Sequence, residues 1–342
     1  MQNLKEKFAA YLGHRFPEAR DILVDRFERI HGGASRQTYR ISYEYFLQDE
    51  NVREHVIMRL DPPTSLVETD YKNEYNAYRA FQDTSVPVPK TLWIEENPDY
   101  LGGSFYMMSE ISGCESSIEA LAEAPYREVK EKIGESYAHI LGQIARMDPA
   151  RMGLWNESDM PRVEDCWQKE LNYWEGMIDK DELEPQPIVR AVIRWLKRNP
   201  PPAAGKICVI HGDFRAGNFL YDRTGSIKAI LDWEMCHLGD PIEDLTYGMN
   251  ALWSSADPQS VGMMLPRERF LELWEESSGI RVSEDALKWW ELFTSVKSIA
   301  IWIDAARKFS DQSNQDLLLA HTGLIATVLQ NFIMLGQMGR IG

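Results

Sequence analysis

Three oxygen-bearing side chains between residues 211 and 232 could bind a hard cation or accept a proton. Asp213 and Asn218 are five residues apart in the sequence HGDFRAGN, and Asp232 follows a strand-like run in the sequence ILDWE. Mg²⁺ prefers carboxylate and amide oxygens and keeps part of its shell for water and substrate phosphates. Asn218 and Asp232 could therefore hold a magnesium ion, while Asp213 stays free to orient an attacking hydroxyl group.

The residues around these three follow an ordered pattern. Strand-like runs at 219–221 and 227–231 flank the sequence DRTGS and predict a β-hairpin. In the following sequence LGDPIEDL, Asp240 at the N-cap, a proline at the first helical position and a glutamate at the third predict a helix start, so Asp240 should stabilise the site. Isolated Asp and Asn residues are common turn formers, but loop, hairpin, aspartate and capped helix in this order indicate a catalytic site.

These segments resemble the catalytic loop, metal-binding turn and following helix of the aminoglycoside phosphotransferase and choline kinase family, which has a protein-kinase-like fold. The pattern HGDFRxGN with LDWExxxLGDPxxDL looks most like the kinase domain that some proteins fuse to an acyl-CoA dehydrogenase module. The resemblance implies that Asp213 accepts the hydroxyl proton and that Asn218 and Asp232 bind Mg²⁺. It also implies that His211 and Asp244 support the catalytic loop.

The same resemblance places ATP on the N-terminal part of the chain. The sequence IHGGASRQT looks like the family's phosphate-covering loop, in which small residues let backbone N–H groups approach anions. Arg59 stands at the position of the phosphate-pairing lysine of protein kinases, and an arginine there can bind phosphate oxygens with two N–H groups. Glu74 is its expected ion-pair partner, with Glu68 as the alternative. The small residues of the loop are Gly32, Gly33 and Ser35.

The adenine base has a weaker signature, because backbone groups would read it. The sequence FYMMSEI matches the family's connector between the two lobes, and Glu110 and Ile111 should lie against the purine.

The spacing of apolar residues changes near residue 112, with short strand-like runs before it and long helical periods after it. Together with the resemblance, this predicts an α+β, two-lobed protein-kinase-like fold. Residues 1–111 would form a small, mainly antiparallel β lobe with one helix that binds the nucleotide. Residues 112–342 would form a larger, mainly helical lobe for catalysis and acceptor binding. The runs are strands at 27–31, 38–46, 55–60, 90–94, 104–110 and 206–210 and helices at 66–82, 126–147, 162–178, 187–198, 266–277, 284–309 and 315–336.

Composition excludes several classes of partner. The 342 residues include 53 acidic and 37 basic side chains, and the formal net charge of -16 argues against nucleic acid. The four cysteines are far apart, and the N-terminus resembles an amphipathic surface helix without a secretory signal, so we expect a cytoplasmic protein with reduced thiols. Residues 317–339 carry no charge, but their scattered polar side chains favour a buried C-terminal helix over a membrane span.

The predicted reaction is ATP-dependent phosphorylation of a small-molecule alcohol. The sequence does not decide whether the acceptor is an aminoglycoside, a choline-like amine, a sugar or a hydroxyacyl compound. It also leaves undecided the choice between ATP and GTP, the oligomeric state and whether the tryptophans after residue 112 bind the acceptor or only pack. Two other classes compete with this prediction. One is a metal-dependent hydrolase that uses His211, Asp213 and Asp232 as ligands, and the other is a non-catalytic nucleotide-binding protein.

Overall fold

The computed structural model describes residues 2–30, 36–61, 71–254, 257 and 259–339. It divides into two compact units, Met1–Arg79 with Pro89–Ser112 and Ala80–Val88 with Gly113–Gly342. The short segment Ala80–Val88 joins the second unit because Phe81 stacks on Trp233, with ring centroids 4.2 Å apart. The nucleotide and acceptor roles of residues 1–111 and 112–342 remain predictions.

The first unit contains a five-stranded antiparallel sheet in the order β1-β2-β3-β5-β4. One face of the N-terminal helix buries Phe8, Tyr11 and Leu12 in the same apolar core as Ile41 and Met58 of the sheet. All five strands predicted here are present. The elements are α1 (Gln2–Arg15), β1 (Arg20–Ile30), β2 (Gln37–Leu47), β3 (Glu50–Leu60), α2 (Tyr71–Phe81), β4 (Thr91–Glu95) and β5 (Phe105–Ser109).

Strands β1 and β3 begin well before their predicted starts at residues 27 and 55; β1 begins at Arg20. Strand β3 begins at Glu50, because β2 and β3 form a hairpin around Gln48 and Asp49. Both turn residues have positive φ angles, 48° and 66°; aspartate tolerates this region, but glutamine gives no turn signal. The predicted first turn of α2, which begins at residue 66, lies outside the described residues.

The second unit is mainly helical. The 27-residue helix α9 lies at its centre and buries Trp289, Trp290 and Phe293. The six helices predicted after residue 112 are present, and β9, which pairs with β6, is a strand that the sequence analysis missed. The elements are α3 (Lys130–Arg146), α4 (Pro149–Met152), α5 (Cys166–Asp181), α6 (Pro187–Arg198), β6 (Cys208–Ile210), β7 (Phe219–Tyr221), β8 (Ile227–Ile230), β9 (His237–Gly239), α7 (Ile242–Gly248), β10 (Ser260–Val261), β11 (Leu265–Pro266), α8 (Arg267–Ser278), α9 (Glu284–Ser310), α10 (Leu317–His321) and α11 (Thr327–Gly339).

The expectation of a buried C-terminal helix is wrong. Helices α10 and α11, joined by one π-helical turn, form the uncharged segment Leu317–Gly339, and only 17% of its most apolar window is buried. By length and composition this is the one helical segment among the described residues that could cross a membrane. The segment turns Gln330 and Gln337 inward towards Ser295 of α9, and all of its leucines except Leu319 are exposed.

Candidate active site

The Asp213 carboxylate lies on the loop between β6 and β7, and two neighbours on that loop fix its orientation. Arg215 Nε donates to Asp213 Oδ1 at 3.0 Å, and Asn218 Nδ2 donates to Asp213 Oδ2 at 2.6 Å. The same Nδ2 donates to the Asp213 carbonyl oxygen at 2.8 Å. Each carboxylate oxygen therefore has a donor, and the Asn218 amide oxygen is the atom that this side chain can offer to a cation.

The backbone of the loop is braced from helix α7. The buried Asp244 carboxylate accepts hydrogen bonds from the backbone N–H groups of His211, at 2.6 Å, and Gly212, at 2.9 Å. Burial raises the pKa of Asp244, while the His211 side chain and these two N–H groups oppose the increase. Gly212 has a φ of 88°, and a Cβ atom there would collide with the Met235 carbonyl, so the turn before Asp213 requires glycine.

His211 is fully buried and uses both ring nitrogens. Nδ1 accepts the backbone N–H of Asp213 at 3.2 Å, which leaves Nε2 protonated to donate to the Leu231 carbonyl oxygen at 2.8 Å. Burial lowers the pKa of His211, which favours this neutral form. His211 thus ties the Asp213 loop to the end of β8.

The β7–β8 hairpin brings the two predicted metal ligands together. Asn218 precedes β7 and Asp232 follows β8, and the Leu231 N–H donates to the Asn218 carbonyl oxygen at 2.8 Å. Asp232 has a φ of 67°, a left-handed conformation that is uncommon for a residue with a side chain and often marks a functional position.

Arg215 is a residue of the site that the sequence analysis missed. Its guanidinium carbon lies 4.8 Å from the centroid of the Trp253 ring, and its side chain is 28% exposed. Burial alone would lower the pKa of Arg215, but Asp213 raises it overall, so the guanidinium stays charged. The sequence feature that could have revealed it is the positively charged side chain two positions after Asp213 in HGDFRAGN.

Asp240 lies two residues before helix α7, which begins at Ile242. Its Oδ1 accepts the Ile242 N–H at 2.9 Å, and burial raises the Asp240 pKa to about 6. The helix starts one residue later than the capping pattern predicted, and Pro241 takes the N-cap position.

In the first unit, Glu74 is completely buried between two arginines. The Nη2 atom of Arg59 contacts Glu74 Oε1 at 3.2 Å, and the Nη1 atom of Arg36 donates to Glu74 Oε2 at 2.9 Å. Arg36 Nε also donates to Asp61 at 3.0 Å. The structure therefore pairs Arg59 with Glu74, whereas the alternative partner Glu68 lies outside the described residues.

Arg36 is the second residue that the sequence analysis missed, although it stands in the sequence GGASRQT. It lies within the predicted phosphate loop, but an arginine beside a glycine-rich turn resembles an ordinary surface charge. Three of the predicted nucleotide contacts, Gly32, Gly33 and Ser35, lie outside the described residues.

The predicted purine contacts are at the end of β5. The Glu110 backbone N–H already donates to the His55 carbonyl oxygen at 3.1 Å, and its carboxylate pairs with Arg40 at 2.9 Å. Glu110 is thus left with its carbonyl oxygen for a base, while the half-buried Ile111 follows outside any helix or strand.

The tryptophans of the second unit serve mainly as packing residues. Trp274, Trp289 and Trp290 are buried. Two other rings face cations of the protein itself, since Trp253 contacts Arg215 and the Lys297 Nζ atom lies 5.5 Å from the Trp174 centroid.

A cluster of charged side chains lies beside helix α7. Ligand atoms of Glu170, His237 and Glu243 lie within 4.8 Å of one another, which would suit a metal ion. However, the buried Lys297 donates to Glu243 at 2.8 Å. Burial alone would lower the pKa of His237, but Glu170 and Glu243 raise it to about 9. With His237 protonated and Lys297 on Glu243, two cations face two carboxylates, so the four residues form a charge-balanced ion-pair network.

Comparison with known proteins identifies the family of this chain. A family model described as the phosphotransferase enzyme family matches residues 26–280. Acyl-CoA dehydrogenase family member 11 of Rattus norvegicus is 26% identical over 209 residues, which is 59% of this chain and 26% of the relative. The chain thus spans about a quarter of that relative's length.

Two solved structures show the same fold. A Ralstonia eutropha protein named as an aminoglycoside phosphotransferase aligns with 98% of each chain, at 19% identity and a TM-score of 0.74. The ternary complex of aminoglycoside phosphotransferase APH(4)-Ia with AMP-PNP and hygromycin B aligns with 96% of this chain and 97% of that one, at 15% identity and a TM-score of 0.57. The predicted kinase-like α+β fold is confirmed. Because the family model matches more than half of the sequence, the chain belongs to the phosphotransferase enzyme family.

Proposed function

We propose that the protein is a small-molecule kinase that transfers the γ-phosphoryl group of ATP to a hydroxyl group. The observation that carries this proposal is the Asp213 carboxylate, which Arg215 and Asn218 hold on a loop braced by Asp244. The similar structure with AMP-PNP and hygromycin B supports a nucleotide donor and a small-molecule acceptor.

In the proposed reaction, Asp213 accepts the hydroxyl proton of the acceptor while that oxygen bonds to the γ-phosphorus. The bond between the γ-phosphorus and the bridging oxygen breaks, and ADP leaves. Such reactions depend mainly on positioning and charge neutralisation. The Asp213 carboxylate group cannot rotate without losing one of its two hydrogen-bond donors. It is therefore held in a fixed direction from which it can position the acceptor hydroxyl group.

The residues at the end of the hairpin fit a magnesium ion. Asn218 directs its amide nitrogen to Asp213 and can offer its oxygen, and Asp232 adds a carboxylate, so both donors are hard oxygen atoms. When bound, Mg²⁺ would neutralise charge on the nucleotide phosphates.

The nucleotide contacts remain part of the proposal. Arg59 would bind phosphate oxygens, and Glu74 would hold its guanidinium in position. Arg36 shares Glu74 and supplies a second cation. The loop residues Gly32, Gly33 and Ser35 would cover the phosphates, and the Glu110 carbonyl with Ile111 would contact the base.

The hydrolase alternative loses one of its three ligands. Both ring nitrogens of His211 are engaged in hydrogen bonds, so His211 cannot bind a metal without breaking the link between the catalytic loop and β8. The geometry therefore favours the kinase over the hydrolase.

An acceptor screen with labelled ATP or GTP would test the proposal. The panel should contain aminoglycosides, choline-like amines, sugars and hydroxyacyl compounds, each with and without Mg²⁺. We expect nucleotide-dependent phosphorylation of at least one alcohol, and Asp213→Asn should abolish it while nucleotide still raises the melting temperature. Full turnover by Asp213→Asn would refute the assignment of the base, and nucleotide binding without turnover on any acceptor would favour a non-catalytic protein.

A further inference from the structure

The segment Leu317–Gly339 presents a continuous apolar face to solvent. Eight of its large apolar side chains are between 44% and 76% exposed. They recur at helical spacing: Leu318, Ile325 and Phe332 are seven residues apart, as are Val328 and Leu335. Residues three, four and seven apart lie on one side of an α-helix, so Val328, Phe332 and Leu335 form a stripe along α11, and the exposed Leu317, Leu318, Leu324 and Ile325 extend it to the start of the segment.

Contacts on the opposite side hold this stripe outward. Gln330 Nε2 donates to Ser295 Oγ at 2.9 Å, and Ser295 Oγ donates to Gln337 Oε1 at 2.9 Å. A Cβ atom on Gly323 would lie 2.7 Å from the Ala306 Cβ atom, so the segment approaches α9 closely. Rotating the leucines inward would break these buried hydrogen bonds and leave their polar groups unpaired.

The size and charge of the stripe indicate what covers it. Eight such side chains amount to a patch on the order of several hundred Å², whereas the largest patch on a typical monomer is about 300–600 Å² and one side of a standard interface is about 800 Å². Helices that lie on membranes are usually rich in Lys and Arg, but this segment has none and the chain carries a net charge of -16. The stripe therefore suits an uncharged protein surface better than an anionic bilayer.

We propose that a second copy of this chain covers the stripe, so that two Leu317–Gly339 segments pack against each other in a symmetric dimer. A two-fold interface needs a surface that is complementary to itself, and a straight apolar stripe without charge meets that need. The absence of charge also matters because two chains of net charge -16 repel each other wherever acidic groups approach.

Light scattering coupled to size-exclusion chromatography would test the dimer. The wild-type chain should have twice the monomer mass of 39.5 kDa, and the double variant Leu324→Glu/Phe332→Glu should have the monomer mass with an unchanged circular dichroism spectrum. Leu183→Glu is the matched control, because Leu183 is 59% exposed outside the stripe, and it should stay dimeric.

A crosslink gives a second measurement should the double variant unfold. Val328 is the midpoint of the segment, so it lies near its own copy in either orientation of the two helices. A Val328→Cys variant treated with a short bismaleimide should form crosslinked dimers, whereas Leu183→Cys should not. A monomeric wild-type chain, or a double variant that keeps the dimer mass, would overturn the proposal. So would a monomer that floats with phosphatidylcholine–phosphatidylglycerol vesicles, since the stripe would then bind lipid.

Discussion

Arg215 and Asn218 hold the two oxygens of the Asp213 carboxylate, and only Asn218 is also a proposed metal ligand. Arg215 therefore acts as a positioning residue whose contribution can be separated from metal and nucleotide binding. It packs on Trp253 and follows Asp213 by two positions, so its removal should change the direction of the carboxylate more than the surrounding fold.

We expect Arg215→Met to lower kcat by about 10–100-fold, because small displacements of a reacting group cost about this much. The KM for ATP should change much less, and Arg215→Lys should recover part of the activity because it restores the charge. Steady-state kinetics at saturating acceptor would measure both parameters. A rise in KM with unchanged kcat would assign Arg215 to nucleotide binding instead.

Asp232 allows a second test at the scale of one residue, because its φ of 67° is one that Asn and Gly tolerate. Asp232→Asn removes the negative charge with little backbone strain, and Asp232→Gly removes the side chain with less. Both should lower Mg²⁺-dependent turnover by at least about 10²-fold in a protein that is still folded at the assay temperature. Kinetics together with thermal unfolding would check this; an active, Mg²⁺-dependent Asp232→Gly enzyme would rule out Asp232 as a ligand.

Spacing in the sequence pointed to Asp213, Asn218 and Asp232 as candidate site residues. These residues are close in the sequence, and the loop and the hairpin keep them close in the fold. Arg36 and Arg215 were missed for a physical reason. An arginine in a loop is normally solvated, and only the fold shows that these two lie against Glu74 and Asp213.

At the scale of elements, a buried ion-pair network joins three helices of the second unit. Glu170 comes from α5, Glu243 from α7 and Lys297 from α9, and His237 lies between the two carboxylates. Lys297 also faces the ring of Tyr247, 5.1 Å from its centroid. The network thus lies beside the same helix that braces the catalytic loop through Asp244.

Lys297→Met should destabilise the protein by about 3–5 kcal/mol, because it removes one of the two cations that pair with the buried Glu243. Lys288→Met on the same helix is the control. Lys288 is about half exposed and pairs with Glu284 at 3.6 Å, so its loss should cost about 0–1 kcal/mol. Urea unfolding of both variants would measure the difference, and equal free energies of unfolding would show that the network contributes no more than a surface pair.

The raised pKa of His237, about 9, predicts a pH dependence with a definite sign. The folded state holds this proton more tightly than the unfolded state, so its stabilising contribution is complete below pH 6.5 and is lost as the pH rises towards 9. The free energy of unfolding should fall between pH 7 and 8, before unfolded thiols ionise. His237→Gln should show a smaller slope in the same buffers, whereas an identical slope would mean that another group titrates there.

Hydrophobic periodicity predicted the strands of the first unit and the helices of the second, since long elements repeat their apolar positions many times. It did not predict β9, which has three residues, or the β2–β3 turn, which lacks glycine. The outward orientation of α11 was also beyond prediction. An uncharged helix resembles a buried one, and its rotation depends on Gln330 and Gln337 meeting Ser295, 35 and 42 positions earlier in the chain.

At the scale of the whole molecule, the surplus of acidic groups makes local cations necessary for binding a nucleotide. The chain has 53 acidic and 37 basic side chains, and the arginines at the proposed sites are held by carboxylates. Arg36 and Arg59 share Glu74, and Arg215 contacts Asp213. These contacts fix the direction of each guanidinium group. The other acidic side chains are spread over the rest of the chain.

That surplus charge should make stability increase with salt. Raising the ionic strength from about 0.01 to 0.15 M shortens the Debye length from about 30 to 8 Å, which weakens repulsion among groups whose net charge is -16. Exposed ion pairs weaken as well, but each contributes only about 0–1 kcal/mol, and buried pairs such as Lys297 with Glu243 are screened little. Melting temperatures in NaCl, KCl and choline chloride should therefore rise equally at equal ionic strength. A fall in all three salts would show that surface ion pairs outweigh the net repulsion, and a rise in one salt alone would indicate binding of a specific cation.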